Sequence, residues 1–60
     1  MNIRYQIETL TCGSWVPVKD HSYADGKEIM AVEDCVQLIE DTGQTCRVID
    51  MKDERVVYKG

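Results

Sequence analysis

Along this 60-residue chain the spacing of apolar residues changes twice, and that change limits the folds open to it. Over residues 2–10 the pattern has period two. Ile3, Tyr5, Ile7 and Thr9 fall on one side, and Arg4, Gln6, Glu8 and Leu10 on the other. Such alternation marks a strand buried on one face. Over residues 26–41 the apolar positions recur at spacings of three and four instead, the period of a helix. From Gln44 strand character returns: residues 45–50 and 55–59 are rich in β-branched side chains, with 51–54 as a four-residue hairpin loop.

Punctuation residues complete the outline. Thr11-Cys12-Gly13-Ser14 reads as a hairpin turn, with 15–19 as the return strand. Pro17 offers no N–H to a neighbour, which assigns that strand to a sheet edge. Residues 20–24 read as a polar connector. Asp25 is the expected helix N-cap, with Glu28 three positions on in the capping-box pattern, and Gly43 the expected left-handed C-cap. Length allows one domain spanning 1–60. The predicted fold is α+β, in the order β-β-α-β-β: an antiparallel four-stranded sheet with one helix packed on one face. A right-handed crossover over the first strand gives the strand order 2-1-3-4.

The helical wheel places Ile29, Val32, Val36 and Ile39 on the expected core stripe, widened by Ala31, Cys35 and Leu38. The other side carries Glu33, Asp34, Gln37, Glu40 and Asp41, with Met30 among them. Glu40 and Asp41 stand at the negative end of the helix dipole, where acids are unfavourable. Like charges at spacings of three and four repel as well. That face is therefore a candidate interaction surface as well as a solubilising one, with Met30 as its apolar anchor. Trp15 on the edge strand is a second candidate contact residue, since Trp is enriched at interface hot spots.

Eleven acidic against seven basic residues give a net charge of −4. A nucleic-acid partner needs a basic footprint, and an anionic membrane needs basic clusters, so neither is expected. The odd count of three cysteines and the absence of an apolar leader or spanning run point to a cytoplasmic protein with reduced thiols. No metal or other cofactor is expected. Cys12 and His21, the closest of the possible ligands Cys12, His21, Cys35 and Cys46, are too far apart for a paired zinc motif. Cys35 lies amid acids that oppose a thiolate, and the paired carboxylates fall on solvated surface. No catalytic residue is assigned, and the chain is not expected to be an enzyme. Its expected role is a protein-interaction module that self-associates, as a homodimer through sheet edges or open sheet faces. The alternative is an acidic inhibitor or decoy that binds a basic protein surface through the helix.

Overall fold

A computed structural model describes residues 3–60. Asn2, the expected first residue of the opening strand, lies outside the described residues. The elements are β1 (Ile3–Thr11), β2 (Ser14–Ala24), α1 (Glu28–Thr42), β3 (Cys46–Asp50) and β4 (Arg55–Lys59). They form one antiparallel sheet in the order β2-β1-β3-β4, as the sequence predicts, with α1 on one face.

The alternation of β1 sets the two faces. Tyr5 and Ile7 point under the helix and are buried with Cys46 and Val48 of the neighbouring β3 and with Ala31 and Cys35 of α1. Val18, Tyr23, Leu38, Val57 and Tyr58 pack around this core. Gln6 and Glu8 face the other way, opposite Ile49 and Arg47. The first hairpin closes through Cys12 (φ 51°) and Gly13 (φ 82°). Positive φ at both central residues is the type I′ geometry, whose twist matches that of the strands it joins.

Three local expectations need correction. Residues 20–24 are not a connector, because β2 continues to Ala24. Glu8 pairs with Pro17 and Gln6 with Ser22, so Ile7 alone stands opposite residues 18–21. This wide bulge, with Asp20 at φ 64°, absorbs the surplus residues and returns Tyr23 to the helix side. Asp25 does not cap the helix. Lys27 occupies the N-cap position without a side-chain bond, and its N–H donates to the Ala24 carbonyl (3.1 Å) across a turn with Gly26 at φ 88°. The Asp25 carboxylate is held instead by Arg4 Nη1 at 2.7 Å. Gly43 does end the helix in the left-handed conformation (φ 72°), its N–H donating to the Ile39 carbonyl (2.9 Å).

The third correction concerns which side of the helix is inside. Ala31 and Cys35 are the fully buried helical residues. Ile29, expected on the core stripe, is 76% exposed. Small side chains let a helix approach a sheet closely, so Ala31 and Cys35 take the line of nearest contact. The stripe Ile29-Val32-Val36-Ile39 is thereby turned to one flank. Val32 and Ile39 pack partly against the core, and Val36 is half-buried.

Candidate interaction surfaces

The acids of α1 do not form one uniform surface. Asp34 is half-buried, and its Oδ2 accepts the Tyr23 hydroxyl at 2.7 Å, which ties the helix to β2. Burial and this bond, in that order, push the Tyr23 phenol well above its ordinary pKa. Asp41 accepts from Gln37 Nε2 (3.0 Å) one helical turn away. Glu33 and Glu40 are exposed, as is Met30 at 51%. No basic residue stands in the last turn of α1. Of the predicted set, Met30, Glu33, Gln37, Glu40 and Asp41 share the outer side of the helix, whereas Asp34 turns to the β2 flank and serves the fold.

The flank bearing the apolar stripe looks toward β4. Gly60 donates its N–H to the Cys46 carbonyl (3.2 Å), and its backbone lies so close to Ile39 that a Cβ there would collide with Ile39 Cδ1. The Tyr58 ring borders the same spot. Asp34, on the opposite flank, faces β2. Along the stripe Ile39 and Val32 pack partly on the core, Val36 is half-buried, and Ile29 at the start of the helix is exposed.

Trp15 lies on the helix-free face of the sheet, apart from the helix set. Register places it opposite Leu10. The Arg47 guanidinium sits 4.3 Å from its ring centre and Lys59 Nζ 5.9 Å. Arg47 Nε also donates to Glu8 Oε1 at 2.9 Å, and Nη2 forms an ion pair with the same oxygen at 2.8 Å. Cation–π contact and ion pair together cover much of the indole with the face's own side chains. A shallow depression of about 310 Å³ beside it is lined by Gln6, Glu8, Ile49, Met51 and Glu54.

One cluster has no counterpart in the sequence reading. Asp50 is fully buried on the helix side. Its carboxylate accepts Arg4 Nε (3.3 Å) and Nη2 (3.1 Å), and the N–H groups of Lys52 (3.0 Å) and Asp53 (3.3 Å). The bonds from Arg4, and then those from the loop, hold the Asp50 carboxyl below its ordinary pKa. An Asp opening a four-residue loop is a recognisable turn signal and could have revealed the backbone bonds. Nothing local marks Arg4, 46 positions earlier, as the partner. All four bonds of this carboxylate are internal, so it closes the structure rather than presenting chemistry.

The cysteines stand apart in role. Cys12 is exposed at the hairpin tip, while Cys35 and Cys46 are buried and unbridged. Burial foremost, then the neighbouring Cys46, pushes the Cys35 thiol up to about 11. Among the described residues no three His, Cys, Asp or Glu side chains gather as a metal site would need, and no helix is long and apolar enough to cross a membrane.

The architecture is that of a small α+β protein with one helix layered on an antiparallel sheet. Compared with known proteins, the chain matches no family model, and it matches no curated protein and no solved structure.

Proposed function

We propose that the chain is a non-enzymatic protein-interaction module whose contact surface is the outer and β4-facing side of α1. The observation that carries this reading is the uncovered start of the helix's β-branched stripe, where Ile29 is 76% in solvent, with Val36 half-buried further along. A helix on a sheet ordinarily turns its largest apolar side chains inward. Here Ile29 points to where a partner can reach it, with Met30, Glu33 and Glu40 alongside. Apolar centres with polar rims are the usual anatomy of a protein contact.

Self-association has less support. Pairing two copies along the stripe brings the Glu33 and Glu40 rims together, and like charges at contact oppose it. Stacking the open sheet faces must displace Arg47 from Glu8 and Trp15. The β2 edge is broken by Pro17 and by the wide bulge, devices that discourage edge pairing.

Affinity capture tests the reading. The wild-type chain should retain a protein that is lost with Ile29→Ser plus Val36→Ser and kept with Leu10→Ser on the opposite sheet face. Light scattering on the same material should show a monomer. Retention by the helix variant, or loss with Leu10→Ser alone, would move the contact off α1.

A further inference from the structure

From the same stripe we infer the chemical class of the partner: a basic amphipathic helix that lies along α1 above β4. The inference rests on the interaction-module reading and narrows it. A helix is about 10 Å across and neighbouring strands are about 4.8 Å apart, so one helix roofs roughly two strands of a four-stranded sheet. Here α1 is tied toward β2 by the bond between Tyr23 and Asp34. The helix layer therefore stops short of β4, and Val57 and Tyr58 stay half-buried at its margin. The space above β4 on this flank of α1 holds no other element of the described chain.

The wall of that space has the spacing a helix needs. Ile29, Val32, Val36 and Ile39 follow one another at intervals of three, four and three, the seam that two packed helices share. The seam's borders are acidic, with Glu28 on one side and Glu33 and Glu40 on the other. Arg55, the cation at the near end of β4, lies 3.8 Å from Asp53. A partner with apolar residues at heptad spacing and Lys or Arg beside them matches both features. A strand would leave the seam uncovered, and a second copy of this chain would set acid against acid.

The test uses three synthetic peptides of three heptads each. One carries Ile and Leu at the seam positions and Lys beside them; one has the same composition in scrambled order; one replaces Lys with Glu. Each is titrated into ¹⁵N-labelled protein. The first peptide should give saturable shifts at Ile29, Val32, Val36, Val57 and Tyr58. Its affinity should fall at least about tenfold with Val36→Asp, and similarly with Glu33→Lys plus Glu40→Lys. The Glu peptide should not bind. Equal shifts from the scrambled peptide, shifts centred on Trp15, or no saturable shift at millimolar peptide would each overturn the inference. If captured protein still depended on Ile29 and Val36 after such a failure, the interaction-module reading would stand and only the helical, basic partner would fall. Loss of both dependences would remove the two together.

Discussion

The orientation of α1 can be tested by two substitutions with opposite expectations. Ile29→Ala removes a side chain that is 76% exposed. Complete burial of an isoleucine is worth about 1.5–3 kcal/mol, so the covered quarter contributes roughly 0.4–0.8 kcal/mol. Alanine recovers up to several tenths of a kcal/mol through better helix propensity. The net change should therefore lie within about 0.5 kcal/mol of zero, the ordinary range for a surface substitution. Were Ile29 in the core, the same change would cost about 2–5 kcal/mol. Ala31→Leu is the converse. Ala31 has no exposed surface, so a larger side chain must push α1 off the sheet, at about 1–3 kcal/mol. Urea unfolding followed by far-UV circular dichroism, at low micromolar protein, measures both. A loss above about 2 kcal/mol for Ile29→Ala, or a neutral Ala31→Leu, would refute the assigned rotation of the helix.

Three further outcomes follow from the structure. Tyr23→Phe should lose about 1 kcal/mol with the bond to Asp34, and Asp34→Asn should lose less, since its amide can still accept; urea midpoints compare them. Cys12→Asn should gain about 0.5–1 kcal/mol, because Asn-Gly is the preferred pair where φ is positive at both turn positions, and the same variant should abolish the one thiol that reacts quickly with an aromatic disulfide. Asp50 has a folded pKa below its unfolded value, near 3.9, so its contribution is complete above that pH and declines as pH falls through the lower folded value. Asp50→Asn should be less stable at neutral pH and show a flatter loss of stability below about pH 4, and an unchanged acid slope would contradict the assignment.

Element types, element order and strand order could all be read from the chain, because period two and period 3.6 are local properties and Pro17 marks an edge. The errors arose where a distant residue decided the outcome. Asp25 has the chemistry of a helix cap, but Arg4 competes for it and wins. Residues 20–24 look like a connector until the bulge opposite Ile7 is known. The helical wheel ranks Ile29, Val32, Val36 and Ile39 first because it weighs hydrophobicity. The sheet selects Ala31 and Cys35 because it weighs distance of approach. Of the candidate surface, Met30, Glu33 and Glu40 were identifiable as exposed, whereas the engagement of Asp34 by Tyr23 depends on a tertiary pairing. Pro17 puts Trp15 on an edge strand, as the structure has it, but its cover by Arg47 comes from a strand 32 positions later, by the register.

The burial of Asp50 bears on the order in which the molecule assembles. Its charge is tolerable away from water only while Arg4, 46 positions earlier, lies against it. A β3–β4 hairpin formed alone keeps the loop N–H bonds to this carboxylate but lacks Arg4, and water competes for the charge. The second hairpin therefore gains its full stability only when β1 docks and brings Arg4 to Asp50. Closing so long a loop is entropically slow, so the late step in folding should be the docking of β1 on β3.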